Sequence, residues 1–295
     1  MDTLSTERQL LWLFPASYLA YVIINSTFNL VASGPSAAVT VTLLAGFAVC
    51  HGRRQYELKE LAAFAGIVFV VSSVYENLSI LTGFPFGLYH YSEILGLKLF
   101  HVPILIAPAY LAAGYLAWTL AAVLLGSFGG PRNSGDLYRQ SIVASFILTM
   151  WDLTLDPVAA TIQRQWIWHQ GGSYFGVPVV NFAGWLLCAL TMFVCFSLYL
   201  VRGPTKTTSS LRSGQPRAYW YQATAMYAVL GLIRPILALT VSSEAVADAT
   251  GQIWQTGQIY QSVTLVTCFT MWFVAFLAML LIGRTPKIGD GRALG

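Results

Sequence analysis

QSIVASFILTMWDLTLDPVAA, residues 140–160, is an apolar run long enough to cross a bilayer. It carries two carboxylates, Asp152 and Asp156, one helical turn apart and so on one face. An ionised Asp at mid-bilayer costs about 2.5–3.5 kcal/mol on insertion scales, so an intramembrane acid is a functional-site hypothesis by default. Pro157 follows directly and disfavours helical geometry at Asp156, so the helix is expected to kink or end there.

The rest of the chain supports the membrane reading. Of 295 residues, 56% are hydrophobic and 9% are charged, whereas an ordinary soluble domain has about 25% charged residues. Mean hydropathy is +0.64. Eight spans are expected at about 10–32, 36–50, 61–82, 102–126, 140–160, 179–201, 218–241 and 260–282. Polar Gly/Pro/Ser-rich connections lie at 126–136 and 202–217. The fold class is therefore all-α, a polytopic membrane helix bundle forming one domain over 1–295. The N-terminal MDTLSTERQLLWLF lacks a basic start and a small-residue cleavage site, so no cleavable signal peptide is expected. The four cysteines sit in apolar segments and make no disulfide or metal pattern.

Placing the N-terminus in the cytoplasm puts 13 of the 16 basic residues on the inside, which favours both termini cytoplasmic. The net charge of +4 is small and spread over loops, so it reads as membrane orientation and not as nucleic-acid binding.

With this topology, Glu76, Asp152, Asp156, Asn181 and Arg234 come from four spans to the same depth, in the non-cytoplasmic half. Glu76 and Arg234 are expected to pair. The two loops that follow the acids, 82–100 and 164–176, are rich in aromatics and glycine. They are expected to fold as a cap over a cavity between spans 3, 5, 6 and 7. Tyr89, Tyr91, Trp151, Trp166, Trp168 and Trp185 are candidate walls, and His90 is a candidate relay base. His90, His101 and His169 show no HExxH or paired His–acid spacing, so no metal is expected.

An acid in an aromatic, apolar pocket suits protonation of a carbon–carbon double bond. Two carboxyl groups in such a place are expected to hold a proton between them. One then gives the proton, while the other, with the aromatic faces, supports the carbocation. Asp152, Asp156 and Glu76 are the catalytic candidates.

LFHVPILI (99–106) and YFGVPVVN (174–181) both place F-x-V-P at the mouth of a span. Glu76 precedes Phe100 by 24 residues and Asp152 precedes Phe175 by 23. Spans 3–4 and 5–6 are either two related hairpins, each with an acid, or two chance-similar helix starts.

ENLSILTGFPFGLYHY (76–91), WDLTLDP (151–157) and WIWHQGGSYFGVPVVNFAGW (166–185) together resemble signatures of the integral-membrane carotenoid biosynthesis family, of the gamma-carotene hydratase and bisanhydrobacterioruberin hydratase type. The resemblance is strong over roughly 60–200. It implies cofactor-independent addition of water to a terminal isopropylidene double bond of a carotenoid. It also implies that Glu76, Asp152, Asp156 and Asn181 lie in the family's signatures. The family usually has glycine where this chain has His101, a difference expected to reshape the pocket.

The leading expectation is a lyase acting on a lipophilic isoprenoid. A membrane terpene cyclase would start with the same protonation and close a ring instead. A proton-coupled transporter is the third reading, weakened because the polar residues cluster in one membrane half. A retinal Schiff base is excluded, since Lys59, Lys98, Lys206 and Lys287 all fall outside the spans or at their ends.

Overall fold

In a bilayer nothing else can bond an open backbone, so long apolar runs fold as helices. The computed structural model describes residues 9–27, 34–128, 133–202 and 214–284. Its helices are α1 (Leu13–Thr27), α2 (Gly34–Gly52), α3 (Leu58–Thr82), α4 (Ile106–Leu124), α5 (Ser134–Asp156), α6 (Val179–Arg202), α7 (Arg217–Thr240), α8 (Thr256–Phe269) and α9 (Met271–Arg284). Among the described residues, six segments are long and apolar enough to cross a membrane. They are α3, α4, α5 with the turn after it, α6, α7, and α8 with α9. α1 and α2 are shorter apolar helices.

Several boundaries differ from the sequence reading, each for a local reason. The first span was expected to reach 32, and its end lies outside the described residues, as does most of the 202–217 connection and part of 126–136. Arg8, Arg132, Lys206, Arg212, Lys287 and Arg292, which weigh in the orientation argument, also lie outside them. α5 begins at Ser134 and not near 140, because the Asn133 side chain accepts from Asp136 N (3.0 Å) and caps it. α4 begins at Ile106 and not at 102, because β2 (Lys98–Leu99) pairs with β3 (Val102–Pro103) ahead of it. The last span breaks at Thr270. The Thr270 hydroxyl bonds back to Val266 O (2.6 Å), the kind of contact that bends helices.

α4 is the central column, buried nearly all round. Its Ala112, Ala113, Gly114, Ala117 and Ala121 let neighbouring helices approach closely. Beside it, Trp118, Phe64, Phe193 and Phe196 form an aromatic core.

The two aromatic loops do more than lie over the bundle. β1 (Tyr89–Tyr91) pairs antiparallel with β4 (Trp166–Trp168), matching Tyr89 with Trp168 and Tyr91 with Trp166. The loop after α3 and the loop after α5 thus form one two-stranded lid. A further hairpin, β5 (Ala245–Ala247) with β6 (Ile253–Gln255), leans on it, and Arg164 donates to Ala247 O (2.7 Å).

The two F-x-V-P segments form similar local turns. Leu99 pairs with Val102, and Tyr174 with Val177, each across a two-residue turn. The first turn residues, Phe100 (φ 56°) and Phe175 (φ 52°), both lie in the left-handed region.

The lid is seated by close approach at Gly184 of α6. A Cβ there would meet Phe86 Cδ1 at 2.7 Å and Pro85 O at 2.8 Å. At Gly66 of α3 a Cβ would meet nothing within 4 Å. Both are helical glycines, so propensity cancels between them. Gly184→Ala is expected to lower stability by about 1–3 kcal/mol through overpacking, while Gly66→Ala is neutral or slightly stabilising. Thermal unfolding of the two variants in detergent, side by side, checks the difference.

Candidate active site

Asp152 and Asp156 sit at the end of α5, and the α-helix ends at Asp156, in line with the kink or end expected from Pro157. The chain then widens into a π-helical turn, Pro157–Ile162. Pro157 has no N–H for Leu153 O, and the Tyr174 hydroxyl donates to that carbonyl instead (3.2 Å). The widened turn holds both carboxylates in the interior, each 1% exposed.

The amide of Asn181, in the first turn of α6, bridges them. Nδ2 donates to Asp152 Oδ2 (3.0 Å) and to Asp156 Oδ2 (2.5 Å). The second oxygens differ. Asp156 Oδ1 accepts from Trp166 Nε1 of the lid (2.6 Å). Asp152 Oδ1 is buried and has no hydrogen-bond partner among the described residues. Asp156 therefore has an N–H donor on each oxygen, and Asp152 keeps one oxygen free.

Glu76, in the last third of α3, is held by three phenols. Oε1 accepts from Tyr110 (2.7 Å), and Oε2 accepts from Tyr91 (2.9 Å) and from Tyr89. Three phenols thus surround one carboxyl group, two at Oε2 and one at Oε1.

These groups face a cavity of about 160 Å³ at the lid end of the bundle. It also receives Trp151, Trp168, Trp185 and Arg234. Trp185 stacks on Tyr110 at 4.4 Å and meets Trp151 edge-on at 6.0 Å, while Tyr89 and Trp168 lie 4.7 Å apart. The strand alternation explains the lid's contribution: Tyr89 and Tyr91 point inward, and His90 between them points out. His90 is accordingly absent from the cavity wall. It bonds to His169 across the lid surface (2.8 Å). Burial, then His169 and Lys98, hold its imidazole below the usual histidine range.

Two further expectations are corrected. Glu76 and Arg234 share the cavity but make no ion pair among the described residues. Three tyrosines already bond Glu76, and the electrostatic neighbours of Arg234 are the phenols Tyr18 and Tyr260. His101 does not reshape the cavity: it is exposed in the β2–β3 turn, outside the wall.

The wall is also broader than spans 3, 5, 6 and 7. α1 adds Tyr18 and Asn25, α2 adds Ser36 and Thr40, and α4 adds Tyr110. Tyr110 lies near the start of α4, antiparallel to α3, and so at the depth of Glu76. That matching depth was a signal in the sequence. Tyr18 and Asn25 gave none, being isolated polar residues in an apolar run. Gln163 and Gln165 line the cavity where it meets the partly exposed edge of the lid.

The chain matches the family described as "Carotenoid biosynthesis protein" over residues 34–241, more than two thirds of its length. It belongs to the carotenoid biosynthesis protein family. It is similar to bisanhydrobacterioruberin hydratase of Haloarcula japonica, with 33% identity over 132 residues. That alignment spans 42% of this chain and 41% of the relative, less than half of either. No solved structure matches the chain. All five polar residues from the sequence reading fall inside the family segment, whereas Tyr18 and Asn25 fall outside it.

Asn181 is the joint of the site. Asn181→Leu keeps the branched heavy-atom shape and removes both N–H donors. It is expected to cost about 1–3 kcal/mol of stability, as buried acceptors lose their partner. Activity is expected to fall about a hundredfold, the size of a general acid–base contribution. Chemical denaturation and product formation, measured on the same preparation, check both.

Proposed function

We propose that this protein hydrates a terminal isopropylidene double bond of a carotenoid or related isoprenoid, without a cofactor, by acid-initiated addition of water. The observation that carries the reading is the asymmetry of the Asn181-bridged pair: Asp156 has both oxygens occupied by N–H donors, and Asp152 has a free Oδ1 inside an aromatic cavity.

Asp152, as the protonated partner, gives its proton from Oδ1 to the CH carbon of the double bond. The electron pair of the double bond forms the new C–H bond and leaves a tertiary cation. The faces of Trp151, Trp168 and Trp185 and the anions at Asp156 and Glu76 stabilise that cation. Water attacks the tertiary carbon and forms the C–O bond. The proton it loses returns to Asp152, so the enzyme is restored and the net change is addition of one water.

The cavity volume supports an end-on mode. A cavity of about 150 Å³ accepts a benzene-sized apolar group, so about 160 Å³ takes the end of an isoprenoid and not a whole carotenoid. The remainder of the chain lies along the helices, since a carotenoid is about as long as the bilayer core is thick, roughly 30 Å. The amides of Gln163 and Gln165 at the lid edge favour hydration over ring closure, because they offer water a polar route to the cavity.

The same reading sets the protein in the membrane as one domain with both termini cytoplasmic and the lid in the non-cytoplasmic half. Of the described basic residues, Arg53, Arg54, Lys59, Arg139, Arg202, Arg217 and Arg284 lie at the end away from the lid, and Lys98 and Arg164 lie in it.

Asp152→Asn and Asp156→Asn test the assignment in a host that accumulates a linear carotenoid with an open isopropylidene end. Each is expected to lose about a hundredfold or more in hydrated product while unfolding at the wild-type temperature. Near-normal turnover in both variants would overturn the roles, and a wild-type protein that forms no hydrated product would overturn the function.

A further inference from the structure

Arg234 is hard to reconcile with a purely hydrocarbon ligand. It is 6% exposed, lies in α7 and lines the cavity. Among the described residues it forms no ion pair, and its Nε has no hydrogen-bond partner. An uncompensated buried guanidinium is costly. It also stands in a pocket where a carbocation is to form, which a nearby cation disfavours.

Its neighbours on the wall suggest what it meets. The wall built by α1, α2 and α7 is a second polar region, distinct from the acids on α3 and α5. It presents Arg234, Tyr18, Asn25, Ser36 and Thr40. Asn25 Nδ2 donates to Ser36 Oγ (2.9 Å), which also bonds the Tyr21 hydroxyl (2.7 Å), so Asn25 and Ser36 are held in place on this wall. The apolar side chains of Ala37, Val41, Leu230 and Ile233 line the same part of the cavity. One cation among neutral hydroxyls and an amide does not suit a diphosphate, which needs several positive charges. It suits a single uncharged oxygen, whose lone pairs accept from the guanidinium.

We propose that the α1–α2–α7 wall is an oxygen-binding subsite, with Arg234 its principal donor, and that the ligand is an isoprenoid carrying a hydroxyl or keto oxygen close to its reacting end. The inference rests on reading the cavity as an isoprenoid site. It makes Arg234 a specificity-determining residue: the acids act on the double bond, and the guanidinium selects the end group that bears the oxygen.

The test uses full-length protein in detergent and two small probes that fit the cavity. One is citronellol, an alcohol with an isopropylidene end, and the other is its deoxy hydrocarbon. Binding is read from quenching of the cavity tryptophans. The affinity ratio of alcohol to hydrocarbon is compared between wild type and Arg234→Met, so that partition into micelles cancels. The ratio is expected to fall by about tenfold or more, the size of a hydrogen bond to a charged group. Arg234→Lys, which keeps a donor, is expected to retain part of it.

An unchanged ratio in Arg234→Met overturns the proposal. If Arg234→Met does not fold, Arg234→Lys and Tyr18→Phe decide it by the same ratio, and an unchanged ratio in both overturns it. Equal loss of both probes also overturns it, because a structural or water-holding arginine behaves that way. Hydration assays on the wild type keep the two readings apart. Discrimination without turnover leaves the subsite standing and removes the hydratase, whereas turnover without discrimination does the reverse.

Discussion

One amide nitrogen, Asn181 Nδ2, holds the two carboxylates of α5 together, and the surrounding architecture can be read as the means of placing it there. Two buried acids one turn apart repel if both ionise and are costly if left unbonded. Their tolerance requires donors from outside their own helix. α6 supplies Asn181 in its first turn, and the lid supplies Trp166. The π-helical turn after Asp156 keeps the chain inside the protein long enough for the lid strand to return over the acids. The proline that forces this turn strips Leu153 O of its usual partner, and Tyr174 restores it.

The same logic repeats at Glu76, with phenols in place of indole and amide. Tyr89 and Tyr91 arrive from the lid and Tyr110 from α4. Because β1 and β4 pair with each other, Tyr89 and Tyr91, which bond Glu76, and Trp166, which bonds Asp156, are carried by one unit. A change at the lid is therefore felt by both acids. The unit is fixed to the bundle at α3, where Ser79 Oγ donates to Gly87 O (2.8 Å) and accepts from Phe86 N (3.1 Å), and at α6 by the close approach at Gly184.

Much of this was legible in the sequence, for a physical reason. Ionisable residues in apolar runs are rare enough that Glu76, Asp152, Asp156 and Arg234 stand out by type alone, and topology puts them at one depth. The alternation Tyr-His-Tyr and Trp-Ile-Trp was also visible, yet it says nothing of which strand it meets, so the lid was expected only as a cap. Pairings between spans were the least legible feature. The sum of charges suggested Glu76 with Arg234, because charge is countable from sequence, while the phenols that take that place are neutral and go uncounted. The α1 and α2 walls were missed for the same reason: single hydroxyls and amides in apolar helices carry no pattern. Helix ends shifted where a cap, a hairpin or a threonine back-bond acted, at Asn133, Lys98–Pro103 and Thr270.

The account turns on where the atoms of water go. Turnover of a linear carotenoid in heavy water, with the oxygen also labelled, follows both at once. The account predicts one deuterium on the carbon next to the tertiary centre, one labelled oxygen on the tertiary carbon, and about a hundredfold less of this doubly labelled product with Asp152→Asn. A ring-closed product, or an alcohol whose oxygen does not come from water, would contradict it.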